Sequence, residues 1–154
     1  MKTEYTEITK MPKFILIIFG IQLIIFLLLF IRTKNSDLDI FYILIPITLI
    51  LVITKMTITL TNKSFKYKLF PVHFNYKEVE WSQIQELRIA KIDALSDFLG
   101  WGLRYSKKYG WGYIFNSNDA LLITFKSNKK IVITIKDKDH IISFLNDNGI
   151  AYTN

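Results

Sequence analysis

From Phe14 to Ile31 the chain runs eighteen residues without a charge, and Gln22 is the one strongly polar side chain among them. At about 1.5 Å per residue, a helix over this run approaches the ~30 Å hydrocarbon thickness of a bilayer. A second apolar stretch, Leu38 to Ile53, follows after a six-residue gap. The pair predicts a transmembrane helical hairpin over 14–53, with spans near 14–31 and 38–53. Residues 1–13 are then an N-terminal tail, and 54–154 one small domain with its own core. A signal peptide has an apolar region of ~7–15 residues and a small-residue cleavage site. This run is longer and ends at Phe30-Ile31-Arg32, so it is expected to be retained. A buried core helix of a soluble protein is the alternative for the second stretch.

The linker Arg32-Thr33-Lys34-Asn35-Ser36-Asp37 is short, so the two spans must be antiparallel neighbours. Lys2, Lys10 and Lys13 precede the hairpin, and Lys55, Lys63, Lys66 and Lys68 follow it. The linker carries Arg32 and Lys34, offset by Asp37 and Asp39. The excess of cations on the outer flanks places both termini in the cytoplasm. The second span is short and contains Pro46, which is expected to kink it.

The net charge is +7, and from Lys55 onward thirteen Lys and two Arg face nine Asp and Glu, a surplus of six. A basic domain tied to a membrane lies close to anionic lipid headgroups. Nucleic acid is not the expected partner, because the charge is scattered over many strands. The chain has no cysteine, which excludes disulfides, thiolate metal sites and cysteine nucleophiles.

Beyond Lys55 the pattern changes to alternation. Ile58 and Leu60 alternate with threonines, and after Asn62-Lys63-Ser64 the residues Phe65, Tyr67 and Leu69 alternate with Lys66 and Lys68. This predicts a hairpin with one apolar and one basic face. Ile84 to Ile92 is a less regular strand candidate, with room for a helical turn. Leu121–Phe125 and Ile131–Ile135 flank a Ser127-Asn128-Lys129 turn and form the clearest hairpin. Asp137 or Asp139 can cap a final helix with Ile141, Ile142, Phe144 and Leu145 on its apolar face, and Gly149 is placed to end it. The fold class is therefore α+β: the membrane hairpin, then a bent antiparallel sheet or partial barrel closed by a C-terminal helix.

Glu80-Trp81-Ser82-Gln83-Ile84 resembles a W-S-x-I strand opening, and Gly100-Trp101-Gly102-Leu103-Arg104 resembles a G-G-W-G-I-R signature. With the aromatic strand Tyr113 to Asn116, the later hairpin and the last helix, this order resembles the bacterial pleckstrin-homology-like domains that follow transmembrane helices in small membrane proteins. The resemblance spans roughly Lys55 to Asn148. It implies a seven-stranded, strongly bent sheet capped by a helix; together with the hairpin read above, the expected place is a bacterial inner membrane, as a two-pass protein. Leu99 stands where family members often carry glycine, and Ile133-Thr134-Ile135 replaces a common Ile-Gly-Thr.

Gly-Trp-Gly occurs at 100–102 and again at 110–112, with Arg104, Tyr105, Lys107, Lys108 and Tyr109 between. Trp101, Arg104, Lys107, Lys108 and Trp111 are candidates for an aromatic-basic surface, since tryptophan and lysine suit the headgroup level. The other placement for both tryptophans is the core, and Arg104 can instead hold a carboxylate such as Asp97. Lys63, Lys66 and Lys68 form a second candidate surface, or the solvent face of an edge hairpin. His73 and His140 lack partners at metal-ligand spacing. No phosphate loop or nucleophile elbow is present. No enzyme, metal or cofactor is expected. The expected function is a non-enzymatic module contacting anionic headgroups or a partner protein. The alternative is an accessory subunit of a larger membrane complex, its soluble domain acting as scaffold.

Overall fold

A computed structural model describes residues 4–33 and 39–153. Most of the predicted linker, residues 34–37, and Leu38 lie outside the described residues. The chain forms two compact units. Met11–Thr54 is one, and the residues up to Lys10 join those from Lys55 onward in the other.

The first unit is helical, with α1 (Lys13–Thr33) packed against α2 (Asp39–Ile53). Apolar side chains cover every side of α1: Ile17, Ile18, Leu27 and Leu28 are exposed, and Phe19, Leu23, Phe26 and Phe30 on the remaining side are half-buried. A helix apolar all round belongs in a large core or in lipid. Lys13–Arg32 is long and apolar enough to cross a membrane, and none of it is buried by the rest of the chain. The fifteen residues of α2 reach only about 22 Å. Pro46 lies inside α2, where the Thr48 hydroxyl donates to the Leu44 carbonyl at 2.8 Å.

The second unit is α+β. Its first sheet has the order β1 (Glu4–Lys10), β2 (Lys55–Thr61), β3 (Ser64–Phe70), β4 (Lys77–Glu80), antiparallel throughout. Residues 4–10, expected to be part of a tail, are thus a sheet strand. Their polar-apolar pattern Glu-Tyr-Thr-Glu-Ile-Thr-Lys is weak alone and gains a partner only from beyond the helices. Lys10 faces Lys55, which faces Phe70, so the chain leaves and re-enters the sheet at one end. Lys63, in the β2–β3 turn, lies at the other end.

The second sheet has the order β5 (Ile84–Lys91), β8 (Asp119–Phe125), β9 (Lys130–Thr134), β7 (Gly110–Ile114), β6 (Gly102–Ser106). β9 slots between β8 and β7, so β7 and β9 run parallel. The expected single antiparallel sheet of seven strands is therefore corrected to two sheets, with nine strands, one parallel strand pair and an isolated parallel bridge between Arg88 and Thr153 among the described residues. Alternation locates strands but not their lateral order, and a chain-neighbour pairing of β7 with β8 is what β9 displaces. The irregular stretch before Leu87 contains the helical turn Trp81–Gln83 and a register shift between Ile84 and Glu86.

The two sheets meet through their inner faces. Tyr67 of β3 contacts Tyr113 of β7 edge-on at 5.4 Å between ring centroids. Leu60, Phe65, Ile58 and Met56 on one side, and Ile89, Leu121, Ile123 and Ile133 on the other, are buried. Helix α4 (Lys138–Asp147) buries Ile141, Phe144 and Leu145, the face expected from its spacing. Asp137 caps it by accepting from the His140 N–H at 3.1 Å, and Gly149 follows with φ +65°. Glu7 lies on the inner face of β1, 7 % exposed. Its carboxylate accepts the N–H groups of Lys136 (2.5 Å) and Asp137 (2.8 Å) and the Tyr5 hydroxyl (3.0 Å), tying β1 to the segment entering α4.

His73 pins the β3–β4 turn. Its N–H donates to the Leu69 carbonyl at 2.6 Å, and Leu69 N–H donates to its Nδ1 at 3.3 Å. The latter bond needs Nδ1 unprotonated. Burial first, and then the charge of Lys77, lower the His73 pKa from its ordinary 6.5. The folded state therefore binds fewer protons than the unfolded chain between the two pKa values. The stabilisation is complete above pH 6.5 and is lost as pH falls through 6.5 toward the lower folded value. The melting midpoint is expected to drop between about pH 7.5 and about pH 5.5, and His73→Gln to shrink that drop. Glu78, Asp93 and Asp137 have lowered pKa values, so their losses begin only nearer pH 4. An identical pH dependence in His73→Gln would remove His73 as the cause.

Candidate functional site

Strand alternation sets the outward face of the second sheet. One row across it is Arg88, Leu122, Val132, Gly112 and Arg104; the next is Glu86, Thr124 and Lys130. Part of this face is roofed by α3 (Ala94–Phe98) and the loop after it. Asp93 starts α3 by accepting the N–H groups of Leu95 (3.0 Å) and Ser96 (2.7 Å). Phe98 and Ala94 then pack with Ile92, Ile114, Ala120 and Val132, and Trp101, Tyr109 and Leu122 border that cluster. Leu99 ends α3 in the left-handed region with φ 58°. The glycine common in the resembling family would hold that conformation without strain.

The unroofed part of the face is a cleft of about 270 Å³. Leu122, Thr124 and Val132 form its floor. Arg88 and Glu86 from β5, Lys130 from β9, and Lys108 and Tyr109 from the β6–β7 turn form its walls. Tyr109 stacks on Phe98 at 5.7 Å, and the Lys108 ammonium lies 4.6 Å from the Tyr109 ring centroid. A hydrogen bond with the Tyr109 side chain, the largest cause, raises the Lys108 pKa above its ordinary 10.5. Lys108 is therefore a full cation at neutral pH. Three cations and one carboxylate surround a partly apolar floor, an arrangement that attracts a small anionic group.

The residues singled out from the sequence fall in several places. Lys108 lines the cleft. Trp101 packs on the α3 cluster, so its core placement holds in part. Trp111 lies on the opposite face of the sheet and is exposed, edge-on to Tyr105 at 5.5 Å. The structure therefore does not join the two Trp-Gly units into one patch. Arg104 is exposed, and its guanidinium lies beside Gly100, across Phe98 from the cleft. Among the described residues the ion pairs are Lys66–Glu78 and His140–Asp137, so Asp97 does not hold Arg104. Lys107 is exposed in its turn.

No protein-family model, curated protein or solved structure matches this chain.

Lys63, Lys66 and Lys68 are likewise dispersed. Lys66 pairs with Glu78 at 3.2 Å, and the Lys68 ammonium lies 5.5 Å from the Tyr76 ring centroid. Arg88, Glu86 and Lys130 escaped the sequence reading. Each sits at an ordinary polar position of an alternating strand, and only the order β5-β8-β9 brings them together. Among the described residues no three His, Cys, Asp or Glu side chains are grouped to hold a metal ion.

Proposed function

We propose that this chain is a membrane-tethered, non-enzymatic binding module of pleckstrin-homology-like architecture. In this reading α1 and α2 both cross the bacterial inner membrane, both termini are cytoplasmic, and the cleft takes a phosphate-bearing lipid headgroup. The observation that carries it is the ring of Arg88, Lys108 and Lys130 around an apolar floor, with Glu86 as the one acidic wall. Two further features support it. The strand unit ends in a helix that buries Ile141, Phe144 and Leu145, as a helix-capped sheet requires, and Lys10 faces Lys55 in the sheet, which is compatible with both flanks of the helical insertion lying on one side of a membrane. The cleft is smaller than the ~300–1,000 Å³ of drug-sized sites, which suits a headgroup fragment rather than a large ligand.

The test uses full-length protein in phosphatidylcholine nanodiscs at low salt, titrated with glycerol phosphate. The amide resonances of Arg88, Leu122, Thr124 and Lys130 are expected to shift and saturate near ~1 mM, a binding energy of ~4 kcal/mol. Raising the salt screens exposed charges and is expected to weaken the binding. Arg88→Glu with Lys130→Glu is expected to abolish the shifts. Shifts that survive the double reversal, or that never appear, would remove the headgroup from the cleft. Binding of an acidic peptide in place of glycerol phosphate would assign the cleft to a partner protein.

A further inference from the structure

The β3–β4 turn, residues 71–76, carries three exposed apolar or aromatic side chains: Val72 (56 %), Phe74 (76 %) and Tyr76 (50 %). They are not displayed by a slack loop. His73 is bonded to both backbone groups of Leu69, and its ring packs against Tyr67 (6.2 Å) and Tyr113 (5.9 Å). Phe74 meets Phe70 edge-on at 6.4 Å. Held this firmly, Val72 and Phe74 remain outside the core.

The turn springs from Phe70, which faces Lys55, which faces Lys10. Helix α1 begins at Lys13, three residues after Lys10, and α2 ends at Ile53, two before Lys55. Phe70 is therefore in register with the two strand ends, Lys10 and Lys55, at which the chain leaves for α1 and returns from α2. Cations flank the turn: Lys10, Lys55 and Lys77 are exposed, and Lys68 lies over Tyr76. From Lys68 to Lys77 there is no acidic residue. Aromatic side chains ringed by lysine suit the interfacial layer, where rings sit at headgroup level and cations meet anionic lipid. The turn at the far end of the sheet, Asn62-Lys63, is polar.

We propose that Val72, Phe74 and Tyr76 form an interfacial anchor that enters the headgroup layer of the membrane crossed by α1. The anchor rests on the reading of α1 as a span and is independent of the cleft. It would fix the tilt of the strand unit on the bilayer.

The chain has no native cysteine, so single cysteines can carry a fluorophore. Asn75→Cys probes the turn, Asn62→Cys the far end of the sheet, and Ile24→Cys the middle of α1. The full-length protein is reconstituted in phosphatidylcholine–phosphatidylglycerol vesicles bearing lipid spin labels at the headgroup or deep in the chains. The label at 75 is expected to lose roughly half its emission to headgroup quenchers, the label at 62 to lose none, and the label at 24 to respond to deep quenchers. Combining Val72→Ser, Phe74→Ser and Tyr76→Ser is expected to restore the emission at 75. Quenching at 24 without quenching at 75, or equal quenching at 75 and 62, would overturn the anchor and leave the span standing. An unquenched label at 24 would overturn the span and the anchor together.

Discussion

Replacing Glu7 by alanine is expected to destabilise the strand unit by about 2 kcal/mol or more, because it removes a buried carboxylate that accepts the part-buried N–H groups of Lys136 and Asp137. The loss divides between β1 and the segment leading into α4, which this carboxylate joins. Glu7→Gln keeps one acceptor oxygen and is expected to lose less. A chain started at Lys55 lacks β1 altogether. It exposes the edge of β2 as well as the two amides, and is expected to lose cooperative unfolding. Denaturation of full-length protein in detergent, followed by near-UV circular dichroism, measures the first effect. Hydrogen exchange at residues 136 and 137 localises it: at ~1.4 kcal/mol per tenfold, protection there is expected to fall about thirtyfold or more. Unchanged exchange in Glu7→Ala would show that these bonds do not hold the strand.

Gly112→Ala is the second substitution expected to act strongly. A Cβ at this buried position would stand 2.7 Å from Phe98 Cδ1 and 2.9 Å from Ile114 Cδ1. Phe98 is itself 2 % exposed and stacked on Tyr109, so its ring has little room to retreat. Overpacking of this kind costs about 1–3 kcal/mol. Here it also carries a second consequence, because a displaced Phe98 takes Tyr109 and the cleft wall with it. Glycerol phosphate binding is therefore expected to weaken together with stability. Gly20, on α1, has nothing within 4 Å of a Cβ, and Gly20→Ala is expected to be tolerated. A folded Gly112→Ala protein with unaltered melting would contradict the packing described for α3.

Several features could be read from the sequence because they depend on local pattern. The apolar helix, the alternating strands through Leu60, Tyr67, Ile123 and Ile133, and the capped final helix all follow from side-chain period and turn chemistry. The expectation failed where the fold depends on distance along the chain. Glu4–Lys10 looks like a polar tail because its partner lies beyond the whole helical insertion. The buried Glu7 resembles any surface carboxylate until the two backbone amides it satisfies are known. The cleft was hidden for the same reason. Lys108 belonged to a conspicuous segment, whereas Arg88 and Lys130 become its neighbours only through the order of β5, β8 and β9. The repeated Trp-Gly units drew attention to one surface, but strand alternation sends Trp111 to the face opposite Phe98 and Trp101.

The insertion of the helices between β1 and β2 has a consequence for synthesis. The first strand leaves the ribosome early, yet its partner is made only after all of Met11–Thr54. Closing so long a loop is entropically unfavourable while it is floppy, and far easier once a helical hairpin has drawn its ends together. If α1 and α2 cross a membrane as proposed, delivery to lipid precedes completion of the first sheet. A nascent polypeptide whose second helix fails to double back leaves Lys55 away from Lys10 and its amino-terminal strand unmatched, so in the proposed two-pass arrangement topology and a finished fold would be verified in a single step.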